Sequence, residues 1–207
     1  MVISIYGGSG SGKTTLATAL QQYFLNDGRG CYLLSGDDYP HRIPKRNDEE
    51  QLRVYKEAGE DGLRGYLGTK KEIDFARINE VLSALHEGKD TITLRHLERE
   101  DGEISSEETD FSGTSVLLLE WTHGDSDDLH GVDLSVFLES SPEETKERRI
   151  RRNRDENAAS PFICRVVELE QEKLEVQRKN AGCIFFFLHS AEPVPFRSRP
   201  GIFRDRL

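Results

Sequence analysis

Residues Gly7-Gly8-Ser9-Gly10-Ser11-Gly12-Lys13-Thr14 fit the pattern G-x-x-x-x-G-K-[ST], with a strand-like run before them and a helical pattern after. Four glycines in six residues carry a large entropic cost, which is offset where backbone N–H groups must curl inward around an anion. The helix expected to start near Lys13 adds open N–H groups and the positive end of its dipole. In such a cradle Gly8, Ser9, Gly10, Ser11, Gly12 and Thr15 would hold a polyphosphate. Lys13 would reach the β- and γ-phosphates of a bound nucleoside triphosphate, and Thr14 would ligate Mg²⁺. The dinucleotide fingerprint G-x-G-x-x-G does not fit, because its third glycine would fall on Lys13.

A phosphate cradle leaves a small-molecule kinase, a regulatory GTPase and an ATPase module open; the kinase reading needs in addition a base, an acid beside the metal and a cationic lid. Asp37, in Ser35-Gly36-Asp37-Asp38-Tyr39, follows a strand-like run and could accept a hydroxyl proton; the same pair of acids could simply start a turn or cap a helix. Glu120 ends the apolar run Val116-Leu117-Leu118-Leu119. There it could hold the waters of Mg²⁺ or a substrate hydroxyl, or emerge at the solvent end of a strand. His123 follows in the next loop as a candidate substrate contact, although a lone loop histidine often has no such role. Arg148, Arg149, Arg151, Arg152 and Arg154 crowd into seven residues after Glu143, Glu144 and Glu147. They suit a lid, with Arg149 and Arg152 on the transferring group and Arg154 on the nucleotide; they would also suit a solvated helix with its charges matched to the dipole.

These groups need a scaffold that brings strand ends together. Strand-like runs occur at Val2–Tyr6, Cys31–Ser35, Thr91–Leu94, Ser115–Trp121, Val132–Leu138 and Cys183–Leu188. Several are continuously apolar, as suits strands covered on both faces of a parallel sheet. Helical patterns alternate with them: Leu16, Leu20, Tyr23 and Phe24 share one face, and Asn47–Lys56, Phe75–His86 and Phe162–Asn180 are further candidates. Pro142 sits where it could open another helix. The expectation is a doubly wound α/β domain, a mainly parallel sheet of P-loop NTPase type over 1–188. A helical and hairpin insertion over 39–110 would lie on the substrate side, its hairpin pairing Thr91–Leu97 with Glu103–Ser106 around Asp101-Gly102. Within it Tyr39, His41, Arg42, Arg95 and His96 are candidates for the acceptor pocket. Residues 189–207, rich in Pro and Arg, read as a loose tail.

Composition narrows the partners. The chain has 207 residues and 28 Lys+Arg against 38 Asp+Glu, a net charge of −10 that disfavours general binding to nucleic acid or anionic membranes. The longest apolar run, Cys183–Leu188, is far too short to span a bilayer, and no secretory signal opens the chain. Cys31, Cys164 and Cys183 are odd in number and far apart, so a disulfide framework or zinc site is not expected and a reducing cytoplasm fits. Homo-oligomerisation stays open.

Together these residues resemble the uridine kinase/phosphoribulokinase-like group of P-loop kinases over roughly residues 1–188. Gly7–Thr15 is similar to its Walker A loop, and Ser35–Tyr39 to its acid-x-aromatic segment, in which the first Asp is the base. Leu118-Leu119-Glu120 is similar to its apolar run ending in Glu, and Arg148–Asp155 to its Arg-Arg-x-x-Arg-Asp lid. The resemblance implies Asp37 as base and an ATP- and Mg²⁺-dependent transfer to a hydroxyl of a nucleoside-, sugar- or vitamin-like metabolite. One segment departs from the group: Gly68–Phe75 stands where its Asp-His-Pro segment would be, and only Asp74-Phe75 is reminiscent of it. Near the hairpin, Arg95-His96-Leu97-Glu98-Arg99 loosely resembles the group's His-and-Arg substrate loop. The other reading is a nucleotide-binding regulatory P-loop protein; a GTPase is disfavoured because the chain lacks Asn-Lys-x-Asp.

Overall fold

The apolar runs become strands because their side chains are buried on both faces. Val2–Gly7 (β1) is buried at every position, and the Val116–Leu119 stretch of Thr114–Trp121 (β5) is fully buried as well. The computed structural model describes residues 1–38, 47–97, 104–141, 143–145 and 160–186. The remaining strands are Gly30–Ser35 (β2), Thr91–Leu97 (β3), Ile104–Asp110 (β4), Leu134–Glu139 (β6) and Cys183–Phe186 (β7). Among the described residues the longer helices are Lys13–Asn26 (α1), Asn47–Arg64 (α2), Phe75–His86 (α3) and Pro161–Gln177 (α4), with 3-10 turns at Gly36–Asp38 and Arg178–Asn180.

Five strands form one sheet in the order β2-β5-β1-β6-β7, and every neighbouring pair is parallel. All five therefore point their carboxyl ends to the same edge. Alternate residues divide the core between the two faces. On one face α1 lays Leu16, Ala17, Leu20 and Phe24 over Ile3, Ile5, Val116, Leu118, Val136 and Leu138. On the other, α3 packs Phe75, Ile78, Val81 and Leu82 against Val2, Leu117, Leu119 and Trp121, and Leu174 of α4 packs against Tyr6 and Phe137.

Three expectations are adjusted. Tyr23 does not join the apolar face of α1 and is 64% exposed; at about 100° per residue it lies roughly a quarter turn from the stripe centred on Ala17, Leu20 and Phe24. The hairpin is longer than expected, with its second strand running to Asp110, and β3 and β4 form a separate two-stranded antiparallel sheet. The helix expected over Asn47–Lys56 continues to Arg64 through a break at Gly59, whose φ of +66° is left-handed. Among the described residues no helix is long and apolar enough to cross a membrane. Residues 189–207 and the hairpin tip at Asp101-Gly102 lie outside the described residues.

Candidate active site

The loop between β1 and α1 takes the form its glycines permit. Gly7, Gly10 and Gly12 have φ of +148°, +81° and +100°. A Cβ on Gly7 would lie 2.5 Å from the Leu138 carbonyl oxygen, so only glycine lets the chain leave β1 this close to β6. Gly12 is the N-cap of α1 and brings no side chain to cover the first-turn N–H groups. Gly10, Ser11 and Lys13 are buried, while Ser9, Thr14 and Thr15 are exposed. Ser11 is 1% exposed, and its Oγ has no hydrogen-bond partner among the described residues. A buried hydroxyl in an inward-curled loop fits a site that accepts phosphate oxygens. Lys13 Nζ donates to the carbonyl oxygens of Gly7 at 3.0 Å and Gly8 at 3.1 Å, so the ammonium lies across the mouth of the loop.

Glu120 is aligned with Ile5 of β1 and with Ser35 of β2. Alternation puts it on the same face as Val116 and Leu118, the face that α1 covers. The Thr14 hydroxyl, at the start of α1, and the Glu120 carboxylate thus belong to one side of the sheet edge. That donor set suits Mg²⁺, which takes one or two protein oxygens and fills its remaining positions with phosphate and water.

Asp37 lies in the 3-10 turn directly after β2 and is exposed. Gly36 before it is packed against the indole of Trp121, the last residue of β5. Strand β3 of the hairpin packs against this turn, bringing the strand that carries Arg95 and His96 to the Asp37 side. Both side chains are half-buried, and His96 Nε2 lies 4.0 Å from Glu107.

His123 is 5% exposed. Its ring meets Trp121 edge-on at 5.7 Å and packs over Gly68. The loop that carries it is tied back onto β1 by Ser4 Oγ, which donates to the Gly124 carbonyl oxygen at 2.6 Å. Beneath Gly68 lies Glu72, a 1%-exposed carboxylate that the sequence reading did not single out. It accepts from Asn47 Nδ2, Gln51 Nε2 and the Gly68 N–H.

The structure thus gathers Gly8–Thr15, Asp37 and Glu120 at the carboxyl edge of the sheet, with His123 beyond β5 and Arg95 and His96 on the adjoining hairpin. Tyr39, His41 and Arg42, and the lid residues Arg149, Arg152 and Arg154, lie outside the described residues.

A parallel sheet of order β2-β5-β1-β6-β7, with a phosphate loop opening the helix after β1, defines a P-loop kinase fold. A profile of the Phosphoribulokinase / Uridine kinase family matches residues 2–160, and the chain belongs to that family. It is 90% identical over 184 residues to the "Bifunctional alpha-galactosidase/sucrose kinase AgaSK" of Mediterraneibacter gnavus, a match covering 89% of this chain and 20% of that protein. The chain therefore spans about one fifth of the length of this relative. Among solved structures it is similar to a "Possible Uridine Kinase" from Bacillus stearothermophilus, with a TM-score of 0.63 and 21% identity over 89% of this chain and 88% of that one. It is also similar to phosphoribulokinase from Rhodobacter spheroides, with a TM-score of 0.66 and 16% identity over 89% of this chain and 69% of that one. At these identities the two structures bear on the fold alone.

Proposed function

We propose that the chain transfers the γ-phosphoryl group of ATP to a hydroxyl of sucrose or a closely similar sugar. The observation that carries this reading is the 90% identity over 184 residues to a protein named in part as a sucrose kinase. In this reading the 7–15 loop holds the triphosphate, and Lys13 leaves its carbonyl partners for the β- and γ-phosphates. Thr14 and Glu120 would hold Mg²⁺, which would supply charge neutralisation to the phosphate oxygens. Asp37 accepts the proton of the sugar hydroxyl as its oxygen bonds to the γ-phosphorus. The bond from that phosphorus to the β–γ bridging oxygen breaks, and ADP leaves. Arg149 and Arg152 would act on the transferring group, Arg154 on the nucleotide, and Tyr39, His41, Arg42, Arg95, His96 and His123 are the candidates for acceptor recognition. Residues 39–110 supply that side within a kinase domain of 1–188. A chain with this role works on small molecules in a reducing cytoplasm.

The test is ADP release from ATP and Mg²⁺ across a panel of sucrose, other sugars, sugar phosphates, nucleosides, polyols, vitamins and amino acids. Sucrose-dependent ADP release with formation of a sucrose phosphate is expected. Turnover with uridine or ribulose 5-phosphate and none with sucrose would overturn the acceptor assignment. ATP binding with no acceptor-dependent release would favour a regulatory role.

A further inference from the structure

Glu72 has no part in the transfer just described, yet its environment is built in detail. Its Oε1 accepts from Asn47 Nδ2 at 2.9 Å and Gln51 Nε2 at 2.8 Å, both on the first turns of α2. Its Oε2 accepts the Gly68 N–H at 2.6 Å. Burial pushes this carboxyl up, but the His123 charge and the three donors outweigh it and hold the group below the ordinary carboxylate range. Lys173 of α4, itself half-buried, adds its charge nearby and donates to the Leu67 carbonyl oxygen.

Gly68 is where these contacts meet. Its φ is +62°, and a Cβ on it would lie 2.8 Å from His123 Cε1 and 2.9 Å from Nδ1. From Glu72 the contacts run through Gly68 to His123, then to Trp121, and on to Gly36 beside Asp37. An apolar side chain of similar shape would avoid the desolvation cost of a buried carboxylate and would often give equal or greater stability. A carboxylate differs in imposing direction: its lone pairs fix donors from two separate segments at defined angles. Those segments are the start of α2, which follows Tyr39, His41 and Arg42 in the sequence, and the turn under His123.

We propose that Glu72 is a positioning residue of the acceptor side, locking the start of α2 and the His123 ring together through Gly68. The inference rests on the reading of the chain as a kinase whose acceptor lies beside Asp37. Glu72→Gln keeps the shape and removes the charge. Amide hydrogen exchange of the substrate-free full chain should become roughly tenfold faster over 47–52 and 66–73 and stay unchanged in the 7–15 loop and α1. In steady-state kinetics the acceptor KM should rise roughly tenfold while the ATP KM holds, a split that general destabilisation would not produce. Gln51→Ala, which removes one of the three donors, should move both readouts the same way by less, and it serves if Glu72→Gln folds poorly. Unchanged exchange over those segments, or parallel rises in both KM values, would overturn the proposal. If sucrose is not the acceptor, the kinetics use the acceptor that the panel identifies. A wild-type chain that phosphorylates no acceptor overturns both readings; an active chain with Glu72→Gln kinetically unchanged overturns this one alone.

Discussion

Gly36 and Trp121 are in such close contact that a Cβ on Gly36 would sit 2.2 Å from Trp121 Cγ and 2.4 Å from its Cβ. The indole cannot give way. It is 2% exposed, with Phe75 at 5.7 Å on one side and His123 at 5.7 Å on another. Gly36→Ala must therefore push the turn that carries Asp37 away from the strand edge. We expect a stability loss of about 1–3 kcal/mol from overpacking. Turnover should fall further than stability explains, by roughly 10²-fold, because a reacting group moved by about 1 Å loses its approach. Thermal melts and acceptor-dependent ADP release on one preparation separate the two effects.

Asp37 and Lys13 should fail in different ways. Asp37→Asn removes a proton acceptor at an exposed position, so nucleotide binding should persist while kcat falls by ~10²-fold or more. Lys13→Ala removes the ammonium now bonded to the Gly7 and Gly8 carbonyls and should abolish turnover together with tight ATP binding. Calorimetric titration with a non-hydrolysable ATP analogue reads the difference. Wild-type kcat in Asp37→Asn would remove Asp37 from the role of base.

Glu120 can be probed through the metal. Glu120→Gln keeps the size and loses the charge beside Ser35 and Ile5. The Mg²⁺ concentration giving half-maximal rate should rise roughly tenfold, with the ATP KM at saturating Mg²⁺ little changed. An unaltered Mg²⁺ titration would place the metal elsewhere.

Glu72 should make the fold sensitive to acid. Its folded-state pKa is depressed below the ordinary 4.5, so its contribution to stability is fully present above about pH 4.5. It is lost as pH falls through the lower folded value. Glu72→Gln resembles the protonated form, so the variant should be less stable than wild type near pH 7 and the gap should close toward pH 3. Urea midpoints measured across that range test the sign; a gap constant with pH would mean that folding does not shift the titration of this carboxyl.

The phosphate loop was legible because its requirements are local. Positive φ at Gly10 and Gly12, a lysine and a hydroxyl at adjacent positions, and a strand before and a helix after all lie within a few residues. The parallel sheet was legible from continuous apolar runs such as Val116–Leu119. Glu72 was not. In Thr69-Lys70-Lys71-Glu72 it reads as one more charge on a solvated turn, and its burial depends on Asn47, Gln51 and His123, up to 51 residues away. The pairing of α2 with α4 was equally hidden. Leu63 and Leu67 meet Val166 and Leu169 there, flanked by the Arg165–Glu60 ion pair, and no short-range pattern announces helices about a hundred residues apart.

By itself, then, the sequence determined a phosphate-binding loop, the strand runs that carry it and the order of the acids along the chain, since each depends on neighbours in sequence. Which residues share the sheet edge was decided only by tertiary structure. Strand order placed β5 between β1 and β2, so Glu120 stands beside both the phosphate loop and the Asp37 turn. Packing then turned an ordinary charged turn into a buried carboxylate. The physical reason is the same in both cases: long-range contacts are chosen by shape and charge complementarity among surfaces that exist only once the chain has folded.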